Sequence, residues 1–302
     1  MLRKDGKNLM TPLMYKKINA FTSESSSGNP AACIYLDANQ VLKDSEMQNI
    51  AREHKGFVSE VVYCMPKSEI SYALKYYSSE CEVDFCGHGT IACMYDLIKN
   101  NSALNNLLEV SIETNKGKLT VYNELQTLDA VFISAPDPEF LTTDVDAAMA
   151  AEALGITASS ISEEYPIRLV NAGLNTLIIP ISTLAVELSV WPNEQSLKTF
   201  CLGHAVDIIL VFTTDVTSQQ NLVRTRVFAP KFGYLEDMAT GSGNSALGYY
   251  MLRNDMWDGR PVSIEQNAEP SAYNIVRLKT IAGKVLFGGK ATVKIEGNIF
   301  IK

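Results

Sequence analysis

Apolar and β-branched residues recur in short runs along most of this chain, with alternating polarity, and two segments break the pattern by being apolar almost all round. The short runs predict strands at 15–22, 31–36, 58–64, 71–77, 107–114, 118–122 and 130–134 in the first half. In the second half they predict strands at 167–169, 176–180, 208–213, 223–229, 263–266, 275–278 and 284–295. An amphipathic helix is predicted after Asp44, which can cap it, with Met47, Ile50 and Ala51 as its apolar stripe; another is predicted over 144–154, ended by Gly155. The two exceptional segments, 91–98 and 246–252, lack a polar face and read as helices buried on every side. Each half therefore wraps several strands around one internal helix.

Both buried helices follow the same kind of loop. Cys86-Gly87-His88-Gly89-Thr90-Ile91-Ala92 and Thr240-Gly241-Ser242-Gly243-Asn244-Ser245-Ala246 share a Gly-x-Gly-x-x-Ala frame 154 residues apart. Val110-Ser111-Ile112-Glu113 recurs as Val262-Ser263-Ile264-Glu265 after 152 residues, which argues for duplication. With a period near half of the 302 residues, the reading is two domains, 1–134 and 135–302, joined near Asp137-Pro138. Residues 1–13 are expected to be a frayed extension, and the last strand is free to cross back to the first domain. A glycine-rich helix start offers unpaired N–H groups and a partial positive charge, so each copy is suited to an anion such as a carboxylate.

Composition narrows the partners. Hydrophobic residues make up 46% of the chain with a mean hydropathy of +0.01 and no long apolar run, so no membrane span is expected. A net charge of −8, with no basic cluster longer than Lys16-Lys17, argues against nucleic acid. The six cysteines show neither disulfide-scaffold density nor a C-x-x-C metal spacing, so no metal is expected and a reducing cytoplasm is the simplest setting.

Several segments together resemble the PhzF (phenazine biosynthesis-like) family: Asn19-Ala20-Phe21-Thr22, Gly28-Asn29-Pro30-Ala31-Ala32, Ser59-Glu60, Cys86-Gly87-His88-Gly89-Thr90, and Glu236-Asp237-Met238-Ala239-Thr240-Gly241-Ser242-Gly243-Asn244. Their order and spacing match over essentially the whole chain. The resemblance implies a diaminopimelate-epimerase-like α+β fold: two pseudo-symmetric domains, each a mixed, largely antiparallel sheet curled around a central buried helix, with the site between them. It implies cofactor-independent isomerisation of a small carboxylate by proton movement, and a homodimer. Glu60 then matches the family's general acid/base glutamate, while His88, Asp237 and Ser242 match cleft residues. The N–H groups around Gly87, His88, Gly241 and Ser242 would hold the substrate carboxylate. Glu60, beside Phe57, Val58, Val61 and Val62 in sequence, is expected in apolar surroundings that raise its pKa. Departures from the family pattern are Asn19 for Asp, Gly89 for Ala, Met238 for Pro, and Val61 for a hydroxyl residue; Val61 and Met238 are expected to reshape the pocket.

Other readings compete. Both loops match a dinucleotide fingerprint, with Glu113 and Glu265 downstream, but acidic residues stand where a buried strand should precede the glycines. No G-x-S-x-G elbow supports a serine hydrolase. A two-thiol racemase is disfavoured because Cys86 is answered by Thr240, although a one-cysteine racemase or dehydratase and a non-catalytic binding protein both remain open.

Overall fold

The computed structural model describes residues 11–301. The chain opens with β1 (Thr11–Ala20), β2 (Asn29–Tyr35), α1 (Asp44–Glu53), β3 (Glu60–Pro66), β4 (Ser71–Ser78) and β5 (Glu82–Val83). After them come α2 (Gly87–Asn100), α3 (Ser102–Asn105), β6 (Glu109–Thr114), β7 (Gly117–Glu124), α4 (Leu125–Leu128), β8 (Ala130–Ser134) and β9 (Glu139–Leu141). The second half runs α5 (Ala147–Leu154), β10 (Arg168–Asn171), β11 (Asn175–Pro180), α6 (Leu184–Ser189), α7 (Glu194–Gly203), β12 (Ile208–Thr213), β13 (Val223–Phe228) and β14 (Glu236–Asp237). It ends with α8 (Gly241–Arg253), β15 (Val262–Gln266), β16 (Asn274–Ile281), β17 (Lys284–Gly289) and β18 (Ala291–Ile301).

The repeat seen in sequence is also a repeat of pairing. β1 is antiparallel to β2, β2 parallel to β3, β3 antiparallel to β4, and β4 parallel to β6, which continues antiparallel through β7 and β8. β10, β11, β12, β13, β15, β16 and β17 pair in the same order and the same directions. The duplicated Val-Ser-Ile-Glu tetrads lie on β6 and β15, equivalent strands parallel to the one that precedes the buried helix. All the strands join in one large mixed sheet.

Strands buried on both faces explain the near-continuous apolar runs. On β2, Ala31 and Cys33 pack toward α2, while Ala32 and Ile34 meet Met47, Ile50 and Ala51 of α1. On β12, Ile208, Leu210 and Phe212 pack toward α8, while Ile209 and Val211 join Ala150, Leu154, Leu197 and Cys201 of α5 and α7. α2 lies against β1, β2, β3, β8 and β18, and α8 against β10, β11, β12, β16 and β17. Ile91, Ala92, Cys93 and Met94 on α2, and Ala246, Leu247, Tyr250 and Met251 on α8, are fully enclosed, as uniform apolarity requires.

Some expectations need correction. Residues 11–13 belong to β1, where Leu13 is buried, and 1–10 lie outside the described residues. The single strand expected over 284–295 is two: β17 pairs with β16 and β8, and after Lys290 the chain turns to pair β18 with β1. α6 and α7 had no counterpart in the sequence reading. Among the described residues, no helix is long and apolar enough to cross a membrane.

Candidate active site

Cys86 is the N-cap of α2, and Thr240 holds the equivalent position on α8. The two caps behave differently. Cys86 Sγ accepts from the Gly89 amide at 3.3 Å, so the thiol caps its own helix. Thr240 instead turns its hydroxyl to Asp237 and donates to Oδ2 at 2.5 Å. Its backbone is held by Gln266, whose Oε1 accepts from Thr240 N at 2.9 Å and from Asn244 Nδ2 at 2.7 Å.

Glu60 opens β3 and, by the period-two alternation of a strand, shares a face with Val62, which packs toward α2. That puts its carboxylate at the start of the helix. Glu60 Oε2 lies 3.6 Å from Cys86 Sγ and 3.3 Å from His88 Nε2, and Cys86 Sγ lies 3.6 Å from His88 Nδ1. The His88 and Glu60 side chains remain 14% and 22% exposed, so solvent reaches the edge of the cluster. These surroundings are polar, contrary to the expectation from neighbours in sequence. Phe57 is exposed beneath the Lys17 ammonium, and Val58 and Val61 belong to the core under α1. Val61 therefore does not line the site, and its departure from the family pattern is absorbed by the α1 layer.

Asp237, on β14, accepts from Asn29 Nδ2 at 2.8 Å as well as from Thr240. The same Asn29 amide donates to Ala239 O at 2.9 Å, so the first residue of β2 fastens the loop before α8. Burial raises the Asp237 pKa; the charge on His88 opposes the rise, and that on Glu60 adds to it. Burial likewise pushes the Cys86 thiol well up, with the Glu60 charge next in importance. Ionisation is thus resisted in both halves, at Cys86 in the first and at Asp237 in the second.

The helix starts meet at Phe287 of β17. A methyl group at Gly87 would lie 3.1 Å from the ring carbon Cζ, and one at Gly241 only 2.2 Å from Cε2. Gly87 and Gly241 thus let both first turns close on one aromatic ring, leaving the amides of Gly87, His88, Gly241 and Ser242 in those turns. At Gly89 a methyl would come within 2.7 Å of Val62 Cγ2 and 2.9 Å of Cys86 Sγ, which accounts for glycine where the family commonly has alanine.

Structure thus brings Glu60, His88 and Cys86 together on one side and Asp237, Thr240, Gly241 and Ser242 on the other. Sequence reasoning gave no role to Asn29, Gln266 or Phe287. Asn29 sits inside a quoted motif and was open to notice, whereas Phe287 is one aromatic residue in an ordinary strand. Glu265, considered as a ribose-binding acid, is buried and bound to Arg224, Asn221 and the amides of Thr217 and Ser218, so the dinucleotide reading fails for the second loop. Among the described residues, Glu60, Cys86 and His88 are the one His/Cys/Asp/Glu group of three or more whose donor atoms all lie within 4.8 Å of each other. The absence of C-x-x-C spacing could not anticipate this, because the fold draws the donors from β3 and the α2 cap.

Comparison with known proteins identifies the family. The family model described as phenazine biosynthesis-like protein matches residues 18–297. An uncharacterized isomerase of Bacillus subtilis is 29% identical, over 84% of this chain and 85% of its own. A trans-2,3-dihydro-3-hydroxyanthranilate isomerase of Pseudomonas fluorescens is 27% identical, over 91% of this chain and 97% of its own. The crystal structure of a PhzF-family protein from Bacillus anthracis superposes with a TM-score of 0.81 at 22% identity, covering 97% of this chain and all of that one. The chain belongs to the phenazine biosynthesis-like protein family and is an isomerase by class.

Proposed function

We propose that the protein isomerises a small carboxylate without a cofactor, with Glu60 carrying the proton. The observation that supports this most is the meeting of Glu60 and His88 at one glycine-rich helix start with the half-buried acid Asp237 near the other. A substrate carboxylate held by the first-turn amides would place its neighbouring carbon near Glu60. The same amides would stabilise the negative charge that spreads into the carboxylate as the proton leaves. His88, 3.3 Å from Glu60, is placed to orient that carboxyl or to relay its proton. Asp237, whose pKa burial raises, is suited to return a proton from the other side. The relative from Pseudomonas fluorescens is named for a hydroxyanthranilate, itself a carboxylate, in keeping with this substrate class.

Glu60→Gln keeps the shape and one acceptor oxygen while removing acid/base capacity. On a verified substrate the variant should bind but lose about 10² to 10⁴ in turnover, the usual contribution of a positioned acid/base group. Near wild-type turnover would sink the assignment and turn attention to His88 and Asp237.

Thiol chemistry is the second reading, because Cys86 Sγ touches the same cluster. Against it stand the raised Cys86 pKa and the Thr240 hydroxyl at the matching position, too weak an acid to replace a thiol. Cys86→Ala should therefore retain most turnover. Complete loss with intact folding and binding would favour a one-cysteine mechanism.

A further inference from the structure

We propose that Glu60, Cys86 and His88 form a three-ligand site for Zn²⁺ or a similar borderline-soft divalent cation, and that this cation competes with the proton for Glu60. The spacing of the donors argues for it. Tetrahedral zinc takes sulfur at about 2.3 Å and nitrogen or oxygen at about 2.0–2.1 Å, so its ligand atoms stand about 3.3–3.6 Å apart. Here Glu60 Oε2 to His88 Nε2 is 3.3 Å, Cys86 Sγ to Glu60 Oε2 is 3.6 Å, and Cys86 Sγ to His88 Nε2 is 3.8 Å. Binding needs only small adjustments of side chains already gathered.

The donor set also selects the metal. Mg²⁺ and Ca²⁺ call for oxygen ligands, whereas a thiolate, an imidazole and a carboxylate suit zinc and its neighbours. Three protein ligands leave the fourth position for water or for the carboxylate of a substrate, the open arrangement of reactive rather than structural zinc sites. Asp237 does not fill that position, since Asn29 and Thr240 occupy its two oxygens. The Gly89 amide at 3.3 Å from Sγ supplies an outer partner that steadies a thiolate.

On binding, the Cys86 thiol proton passes to solvent and metal bonds form to Sγ, Oε2 and Nε2, with no change in oxidation state. A metal-bound Glu60 oxygen cannot take a substrate proton, so the cation is an inhibitor that a chelator reverses; this consequence rests on the isomerase reading, while the site itself does not.

Co²⁺ is the probe, because zinc has no visible spectrum. Metal-stripped, reduced full-length protein should take up one equivalent, giving a sulfur-to-cobalt charge-transfer band in the near ultraviolet and the strong visible bands of tetrahedral cobalt, with Zn²⁺ displacing it. Cys86→Ser keeps a capping oxygen for α2 and should abolish the charge-transfer band. His88→Ala should weaken binding by at least about tenfold to a hundredfold, the loss seen even when an outer partner of a metal site is removed. Cys81→Ser, at the exposed cysteine, should leave the spectrum unchanged. A band that survives Cys86→Ser, or no band in folded wild type, overturns the site. Neither spectrum requires a substrate, so active wild type without a band would remove the metal and leave the isomerase reading standing.

Discussion

Gly241 shows how one missing methyl group shapes the site. Its φ is not among the positive values of the chain, so backbone freedom does not explain the residue. On helix propensity alone, alanine would be better by about 0.8–1.0 kcal/mol. The opposing term is steric: the new Cβ would sit 2.2 Å from the Phe287 ring, inside any normal contact, and that ring is 3% exposed with little room to withdraw. Overpacking of this kind costs about 1–3 kcal/mol, enough to outweigh propensity. Gly241→Ala should therefore lower stability in urea unfolding, whereas Gly87→Ala, with its closest approach at 3.1 Å, should change it much less. Phe287→Leu combined with Gly241→Ala should recover part of the loss, and strictly additive effects would mean the ring is not the obstacle. The residues of the two loops were legible in sequence because glycine at a helix start is chemically unusual. Phe287 was not, because nothing local marks a strand phenylalanine as the wedge between distant helices.

α6 illustrates an element fixed by a charged residue from elsewhere. Arg226, fully buried on β13, pairs bidentately with Glu236 and uses Nη1 to donate to Glu187 O, Leu188 O and Val190 O at the C-terminal end of α6. Those donations satisfy carbonyls that the helix cannot use itself. The same helix buries Glu187, and burial, the largest effect, raises its carboxyl to about 7 against the pull of Arg224 and Arg226. The native state then holds more protons than the unfolded state between the ordinary glutamate value near about 4.3 and about 7, so this group lowers stability as pH rises across that window and is level above it. Glu187→Gln removes the titration. The variant's melting temperature should fall less than that of wild type between about pH 5 and about pH 7, and an unchanged slope would place the proton elsewhere. α6 escaped notice in sequence because it is short and owes its position to Arg226 rather than to a strong apolar stripe. α7 could have been found: carried forward by the 152-residue repeat, the range of α1 falls on 196–205, over α7 at Glu194–Gly203. The run expected over 284–295 hid its break because no proline or Asn/Asp turn residue interrupts it: an apolar stretch to Gly289 passes directly into the alternation that begins at Lys290. The break is tertiary, set where β17 leaves β16 and β8 and where β18 takes up β1.

For the molecule as a whole, the pairings that cross the repeat matter most. β18 runs antiparallel to β1 over the whole length of β1, β9 pairs with β10, and β8 pairs with β17. Each half thus ends by adding a strand beside the first strand of the other, while the strands before those, β8 and β17, meet directly. Polar links follow the same logic: Asn29 of β2 holds the loop before α8, and the Gly28 amide donates to Asn274, whose own amide donates to Met238 O. Unfolding either repeat alone would strip backbone partners from strands of the other and leave buried polar groups unpaired, at roughly 1–3 kcal/mol for each group. That penalty exceeds what most single contacts contribute, so the two repeats should unfold together despite the duplication. Fluorescence can test this, because Trp257 is 7% exposed on the second half, whereas Trp191 is 73% exposed and responds little to unfolding. In urea, the Trp257 signal and far-ultraviolet circular dichroism should follow one coincident transition with a single midpoint. A tryptophan transition separated from the loss of secondary structure would show that a repeat survives alone, and the crossing strands would then be attachments to two independent units rather than the seam that makes them one.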